Sequence, residues 1–523
     1  MVYGGAACVR TCVWPLIRLL SFAGYNAHSG AKRCRSTECD SPPGREIPAE
    51  SEPLPMAPRP SFLAQTSGGF TFANPSYTAD NFYQYSAGEI EADASIQAEQ
   101  ATEPVPAPRV DPPVMDLSDV LPANAIAAIQ SAGQLVFHCA GDTGGIVKPD
   151  PQLAVADAMC ADLADKTYSS ALPAFFYHLG DVVYYFGQQQ YYPEQFYDPY
   201  RNYNAPIFAI PGNHDGVMYE KEPVDYSLEA FIDNFCAASP AAAVPSFSRT
   251  TMTQPGAYFV LTAPFTRFIG LYSNTGEEMG IIGDDSTIGQ AQITFLTDQL
   301  EAALAARNAA GAAPEALILA VHHPPFTGSS SHYPSAAMLA QIDECCEQAG
   351  IWPDLVLSGH AHLYERYTRS MKADGREIAY VVAGNGGYYN LSKMTANIAG
   401  EKPAPGAHSE PDGQGNTITL DQYNDTDFGF LRITVNSSQI QVESLGVNLS
   451  AAAGTAPALV DQFTIDLEAH TVTTVGASAP KKASASLHNA TKKKSPNSSG
   501  RAHAGRLRTA RKTGKTKIPK RDG

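Results

Sequence analysis

The feature that most constrains this chain is a series of short apolar runs, each ending in a loop of Gly, Asp, Asn or His. The runs are QLVFHCAGD, AFFYHLGD, PIFAIPGNHD, ALILAVHHP, DLVLSGHAH and IAYVVAGNGG. Each is typical of a buried strand that ends in a polar loop. Helical patterns lie between several of them, at 151–166, 289–310 and 335–350, with Gly311 and Gly350 as stop signals for the last two. This alternation predicts a layered α/β architecture with active-site loops at the strand ends.

Two further apolar segments have no helix between their strands. They are YFVLTAPFTRFIGLYS and FGFLRITVNSSQIQVESL, and each is typical of an antiparallel hairpin. Hairpins of this kind predict mixed sheets, because a purely parallel sheet needs a crossover after every strand.

The two ends of the chain differ in composition from its middle. Residues 1–116 form a leader rich in Pro, Ala, Ser and Glu, and residues 471–523 form a tail rich in Lys, Ser, Ala and Gly. Neither has the apolar content to build a core, so both are predicted to be largely disordered. The catalytic domain is predicted to span 117–470.

The net charge of −17 is unevenly distributed. From Lys481 onward the tail carries +13, which leaves −30 for the rest of the chain. The tail is predicted either to contact polyanions by counterion release or to act as a solvated solubility tail. An acidic body that acts on anionic esters would need local positive charge, and bound metal ions would supply it.

Compartment and assembly are only weakly constrained. An apolar run follows Arg10, but Pro15 and Arg18 interrupt it, so it is a weak signal segment; an extracytoplasmic or secreted location is slightly favoured. No apolar stretch approaches the ~20 residues of a membrane-spanning helix. Nine cysteines without a CxxC pair argue against a structural zinc site and favour scattered buried thiols. No pattern indicates an oligomeric state.

Five polar clusters follow the predicted strands in the order GDTGG, GDVVY, GNHD, HHPP and GHAH. Together they supply carboxylates, an amide oxygen, a phenol and several imidazoles. This inventory suits first-row metal ions, because carboxylate and phenolate oxygens favour hard ions and imidazole favours iron and zinc.

The order GDxG, GDxxY, GNH, HxP and GHxH, spanning 141–362, resembles that of the purple acid phosphatases, a branch of the calcineurin-like metallophosphoesterases. The resemblance implies a four-layer α/β/β/α sandwich with two mixed sheets and a dimetal centre at one edge. It implies that Asp181 bridges the two ions. The first ion would also be held by Asp142, Tyr184 and His362, and the second by Asn213, His322 and His360.

Two positions separate the purple branch from its relatives. Most calcineurin-like enzymes carry Asp-x-His in the first cluster, and this chain has Gly144 in place of that histidine. Tyr184 resembles the phenolate ligand of ferric iron in the purple branch and would compensate, although it could also be a wall residue among the neighbouring tyrosines. The implied cofactors are two metal ions, Fe plus Zn, Mn or a second Fe.

The predicted reaction is hydrolysis of a phosphate ester by attack of a metal-bound hydroxide on phosphorus. His214 and His332 are predicted to orient phosphate or to protonate the leaving oxygen, and His323 is predicted to face substrate or to support the ligands. A phosphomonoesterase is favoured over two alternatives. One is a phosphodiesterase acting on cyclic nucleotides or glycerophosphodiesters, and the other is a non-catalytic scaffold with a polyanion-binding tail.

Other polar residues have simpler interpretations. His138 and His178 lie inside predicted strands and are interpreted as packing residues. The GNGG run at 384–387 is interpreted as a close-packed turn near the metal site. Cys345 and Cys346 are interpreted as small buried apolar residues of a helix.

Overall fold

The computed structural model describes residues 105–475, apart from 146–147, 165–171, 185, 217–223, 244–248, 276–279, 312–313, 398 and 452–454. The leader up to residue 104 and the basic tail beyond residue 475 lie outside the described residues. The first strand begins at Val114 and the last ends at Thr474, a few residues outside the predicted limits of 117 and 470. Among the described helices, none has the length and apolar character that crossing a bilayer requires.

Sixteen strands are present in the described residues. They are β1 (Val114–Asp116), β2 (Leu135–Ala140), β3 (Phe176–His178), β4 (Ile207–Ala209), β5 (Phe259–Ala263), β6 (Thr266–Gly270), β7 (Ala316–Ala320), β8 (Leu355–Ser358), β9 (Tyr364–Ser370), β10 (Glu377–Ala383), β11 (Ser409–Pro411), β12 (Thr417–Asn424), β13 (Phe428–Val435), β14 (Gln439–Val447), β15 (Ala458–Asp466) and β16 (Thr471–Thr474). One sheet has nine strands in the order β1-β5-β6-β7-β8-β10-β9-β12-β11, and the other has seven in the order β16-β15-β14-β13-β2-β3-β4.

Both sheets are mixed, as predicted. The strands β6, β7, β8 and β10 are parallel neighbours, as are β2, β3 and β4. The two predicted hairpins are present as the antiparallel pairs β5–β6 and β13–β14.

Six α-helices are described. They are α1 (Ala123–Ala132), α2 (Asp150–Ala164), α3 (Asn213–Gly216), α4 (Glu229–Phe235), α5 (Thr287–Arg307) and α6 (Ala336–Ala349). Three of them correspond to the predicted helices. The helix α6 begins after Ser335, whose side chain accepts a hydrogen bond from the Met338 N–H, and ends at Gly350 in the left-handed conformation. In contrast, α5 ends at Arg307, four residues before the predicted stop at Gly311.

The two sheets pack face to face, and helices cover their outer faces. Apolar side chains of both sheets form the inner layer, including Phe137 of β2, Phe268 of β6 and Leu357 of β8. The helices α5 and α6 pack on the nine-stranded sheet, and α2 packs on the seven-stranded sheet. Each large apolar side chain that is buried in this way stabilises the folded state by about 1.5–3 kcal/mol. The predicted α/β/β/α sandwich is therefore confirmed.

The carboxyl ends of the parallel strands in the two sheets meet at one edge. The Gly141 N–H, just after β2, donates to the Ala383 carbonyl at the end of β10 (2.9 Å). The Nδ1 of His322, just after β7, is 2.7 Å from the Leu179 carbonyl, just after β3. These bonds bring the polar loops of both sheets together, and these loops carry the predicted metal ligands.

Candidate metal centre

The three side chains expected to hold the first ion converge. The Tyr184 hydroxyl donates to Asp142 Oδ1 (3.2 Å) and lies 3.3 Å from His362 Nε2. His362 Nε2 lies 3.5 Å from the same Asp142 oxygen. The carboxylate, the phenol and the imidazole, which follow β2, β3 and β8 respectively, therefore face a common point.

The three side chains expected to hold the second ion also converge. Asn213 Oδ1 lies 3.1 Å from His322 Nε2 and 3.0 Å from His360 Nδ1. Neutral imidazole and amide oxygen are suitable ligands for iron, zinc or manganese.

Asp181 lies between the two groups. Its Oδ2 is 3.4 Å from His322 Nε2, and its carboxylate also lies close enough to Tyr184 to raise the pKa of that phenol. Asp181, His322 and His360 each present a ligand atom within 4.8 Å of the other two. The second oxygen of the carboxylate, Oδ1, accepts the His214 N–H (2.9 Å). Asp181 is therefore adjacent to ligand atoms of both groups.

Backbone carbonyls fix the tautomers of two imidazoles. A carbonyl can only accept, so the contacts of His322 Nδ1 with the Leu179 carbonyl (2.7 Å) and of His362 Nδ1 with the Asn390 carbonyl (3.1 Å) place a proton on each Nδ1. Each Nε2 is then directed at the centre. Such bonds orient metal-binding histidines and set which nitrogen binds.

Backbone conformation is unusual at three of the predicted ligands. Asp142, Asp181 and His360 have φ values of 58°, 55° and 65°, in the left-handed region that residues other than glycine rarely adopt. Each such residue costs on the order of 1–2 kcal/mol. The rest of the fold must supply that energy, and the result is that three short loops turn their side chains inward.

Burial and neighbouring charge shift the pKa values in opposite directions. Burial disfavours the charged form of His322, but the Asp181 and Asp142 carboxylates raise its pKa to about 9. Burial, followed by the neighbouring imidazoles of His323 and His332, holds the pKa of His360 well below its usual range. Burial and the two carboxylates raise the pKa of the Tyr184 phenol well above its ordinary value. A cation bound here must therefore displace protons from His322 and Tyr184.

The three predicted catalytic histidines line the same centre at different depths. His214 is half-buried, and its ring lies 4.5 Å from that of Tyr184. His332 is half-buried, with its ring 4.8 Å from that of His360 and 4.6 Å from that of His362. His323 is fully buried, 4.3 Å from the His360 ring, and its Nδ1 is 2.9 Å from Ser273 Oγ. His214 and His332 are thus partly accessible to solvent, whereas His323 is enclosed and packs against the His360 ring.

The polar residues that were interpreted from the sequence as packing residues lie in packed surroundings. His138 bonds Tyr203 and Asp162, and His178 bonds Thr143. In the GNGG run, a Cβ on Gly384 would lie 2.8 Å from Asp142 Oδ2, so the turn is close-packed against the site. The described cysteines Cys139, Cys160, Cys236, Cys345 and Cys346 are free thiols. The other four cysteines, Cys8, Cys12, Cys34 and Cys39, lie outside the described residues.

Sequence reasoning missed the residues that hold these loops in place. The buried Asp215 carboxylate accepts N–H groups of Val182 and Gly212 and so ties the Asp181 loop to the Asn213 loop (3.0 and 2.9 Å). The buried Glu365 carboxylate accepts from the Thr327 hydroxyl and the Gly328 N–H, at the start of the loop that carries His332. Asp215 could have been noticed, since it ends the GNHD cluster, but nothing local marks Glu365.

The residues present fit a pair of cations. Asp181 Oδ2 is buried and receives no hydrogen bond from the described residues; the His322 imidazole, 3.4 Å away, is the cationic group beside it, and a metal ion that displaced the His322 proton would take over the compensation of its charge. In each of the two groups around Asp181, oxygen and nitrogen atoms of the side chains face a common point. Carboxylate, phenol, amide and imidazole are together a donor set for hard or borderline metal ions.

Comparisons with known proteins give a family match and a curated relative. Residues 136–364 match the calcineurin-like phosphoesterase family. Over 200 residues the chain is 24% identical to purple acid phosphatase 23 of Arabidopsis thaliana; the match covers 37% of this chain and 36% of that protein. The chain therefore matches about a third of the length of this relative.

Two solved structures are similar at low identity. One is GAP50, the anchor in the inner membrane complex of Plasmodium, with a TM-score of 0.41, 14% identity, and coverage of 62% of this chain and 89% of that one. The other is PhoD, with a TM-score of 0.40, 13% identity, and coverage of 73% and 75%.

Proposed function

On the premise that the central domain is a calcineurin-like phosphoesterase, we propose that this chain hydrolyses phosphate monoesters in the manner of a purple acid phosphatase. The observation that carries the proposal is the packing of Gly144 against Tyr184. A Cβ on residue 144 would lie 2.7 Å from the Tyr184 ring, and the phenol oxygen of Tyr184 is 3.2 Å from Asp142. The phenol thus fills the space beside Asp142 that a larger residue at 144 would need.

Seven residues would hold the ions. Asp181 would bridge them, Asp142, Tyr184 and His362 would bind one, and Asn213, His322 and His360 would bind the other. When bound, such a pair supplies a hydroxide nucleophile near neutral pH and offsets charge on the phosphoryl oxygens. The phenol at the first position favours iron there, with zinc, manganese or a second iron at the other.

The other residues of the site would bind and orient the ester. His214 and His332 are half-buried; the His214 ring lies 4.5 Å from that of Tyr184, and the His332 ring lies 4.6 Å from that of His362. As the bond from phosphorus to the leaving oxygen breaks, that oxygen takes up a proton. His214 and His332 are the two candidates for supplying it or for holding the phosphoryl group.

Substrate preference tests the proposal. Hydrolysis of an aryl phosphate monoester would be compared with that of its bis-aryl diester, using wild type, His360→Gln and the matched control His408→Gln. We expect kcat/KM at least about tenfold higher for the monoester, loss of activity of about 1,000-fold in His360→Gln, and wild-type activity in His408→Gln. A preference for the diester would favour a phosphodiesterase instead. Absence of activity on both esters would favour the scaffold.

A further inference from the structure

Ser392 joins two parts of the site that sequence reasoning treated separately. It follows the GNGG turn by five residues, and its side chain is buried. The Ser392 Oγ accepts the backbone N–H of His362 (3.2 Å), and it lies 3.1 Å from Nδ1 of His332. The Ser392 N–H donates in turn to the His362 carbonyl (2.9 Å), so the serine is paired in both directions with the backbone of a predicted metal ligand.

The hydroxyl of Ser392 has three hydrogen-bond partners. Its oxygen also lies 2.9 Å from Ser331 Oγ, whose residue is exposed. The His362 N–H donates to one lone pair. One arrangement then satisfies the rest of the hydroxyl: the other lone pair accepts the Ser331 hydroxyl, and the Ser392 proton is donated to His332 Nδ1. All donors and acceptors of the buried Ser392 hydroxyl are then satisfied.

In this arrangement His332 Nδ1 is a hydrogen-bond acceptor. Within the described residues, the hydrogen-bond contacts of the ring are at Nδ1, with Ser392 Oγ at 3.1 Å and Ser331 Oγ at 3.0 Å; in this arrangement Ser392 donates to Nδ1, and the Ser331 proton goes to Ser392. If Nδ1 accepts, the neutral ring carries its proton on Nε2, and that N–H lies on the edge away from the two serines. Phosphoryl oxygens are hydrogen-bond acceptors, so this tautomer is the neutral one that can bind them.

We propose that Ser392 is a positioning residue, which holds His332 so that its Nε2–H donates a hydrogen bond to the phosphoryl group of the substrate. The inference rests on the proposed phosphoesterase function and deepens it, because it assigns His332 to phosphoryl binding and leaves the proton of the leaving oxygen to His214. His332 transfers no proton in this role. The serine acts only through the imidazole and does not touch the ester.

The test measures binding of inorganic phosphate and turnover of an aryl phosphate monoester by the metal-loaded full chain. In Ser392→Ala we expect KM and the inhibition constant for phosphate to rise together by about tenfold, with kcat changed by less than about threefold and metal content unchanged. Ser392→Thr keeps the hydroxyl and should restore both constants; Ser392→Cys serves if threonine does not fit. Ser444→Ala, a buried serine of β14, is the matched control and should resemble wild type.

The outcomes separate this inference from the proposed function. A wild-type chain that hydrolyses neither ester and does not bind phosphate would contradict the proposed function itself. An active wild type with unchanged constants in Ser392→Ala would overturn the role of Ser392 alone. A fall in kcat and metal content with unchanged phosphate binding would also overturn it, because that is the result of a structural defect at His362.

Discussion

At the scale of single residues, this site depends on polar groups that are buried at an energetic cost. Tyr184, Asp142 and Asp181 are all nearly inaccessible to solvent, and two of them have left-handed backbone conformations. A buried carboxylate without a compensating charge costs several kcal/mol. The burial of these three polar groups therefore favours the binding of a cation, whether or not a substrate is present.

Tyr184→Phe tests the identity of the first ion. The substitution removes one oxygen ligand and keeps the ring that packs against Gly144. If iron is bound, we expect an intense visible absorption band in the wild-type protein and its loss in Tyr184→Phe. Tyr192→Phe is the matched control, since Tyr192 is equally buried and its hydroxyl has no hydrogen bond within the described residues. A colourless, active wild type would contradict iron and the role given to Tyr184.

Glu365 gives a prediction about pH. Burial raises the pKa of its carboxyl to about 7, although three donors bond it. Because the folded pKa is above the unfolded value, this group stabilises the fold below about pH 4.5 and that stabilisation is lost as the pH rises through 7. The loss is at most roughly 3 kcal/mol.

Denaturant unfolding of the metal-free protein between pH 5 and 8 would measure this effect. We expect the free energy of unfolding to fall less steeply with pH in Glu365→Gln than in wild type, while the exposed Glu301→Gln follows wild type. Parallel pH curves for wild type and Glu365→Gln would mean that the carboxyl titrates at its unfolded value.

At this scale, sequence reasoning could name only groups that lie in local clusters. Asp142, Asp181 and His360 could be named because each directly follows an apolar strand. Ser392 and Glu365 could not, since their importance comes from contacts with residues more than 25 positions away in the chain. Hydrogen bonds between distant loops leave no periodic pattern in the sequence.

At the scale of elements, the geometry of the site is set by how closely the strand-end loops approach one another. Gly180, between β3 and Asp181, has φ = 96°, and a Cβ there would lie 2.6 Å from His322 Nδ1 and 2.7 Å from the Gly212 N. The loops after β3, β4 and β7 can therefore meet only if this position lacks a side chain.

Gly180→Ala is expected to displace His322 and to reduce metal content and activity by at least about tenfold, in addition to the ~1–2 kcal/mol cost of a left-handed alanine. Gly311→Ala separates the two effects, because Gly311 also has positive φ (78°) but a Cβ there would meet no atom within 4 Å. Metal content and thermal unfolding would be measured for both. Normal metal binding in Gly180→Ala would refute the close-packing argument.

The elements themselves were mostly predictable. All six apolar runs are strands, because each is buried on both faces and leaves a continuous signal. The helix α1 (Ala123–Ala132) was missed, since it has no fully buried residue and lies beside a proline-rich segment. The helix α5 ends before its predicted glycine: Asn308, the residue after its last turn, is in the right-handed region, so no left-handed glycine is used there.

At the scale of the whole molecule, charge divides the chain into an acidic body and a basic tail. The −30 of the body would disfavour anionic esters in the absence of cations. We propose that the tail from Lys481 contacts polyanions through counterion release. The tail lies outside the described residues.

Deletion after Pro480 tests the role of the tail. We expect hydrolysis of a small aryl phosphate to be unchanged, since every predicted ligand precedes residue 363. Binding to a polyanion such as heparin should weaken, and its steep dependence on salt should be lost. Equal polyanion affinity of the full and truncated chains would instead favour a solvated solubility tail.

Metal content tests the central claim most directly, since the five loops have a common function only if they bind a pair of cations around Asp181. Elemental analysis of the purified chain should find two transition-metal ions per molecule, and Asp181→Asn should hold one or none. Asp466→Asn, an exposed residue of β15, should retain both. A wild-type chain that binds no metal even after reconstitution with iron, zinc or manganese would contradict the account.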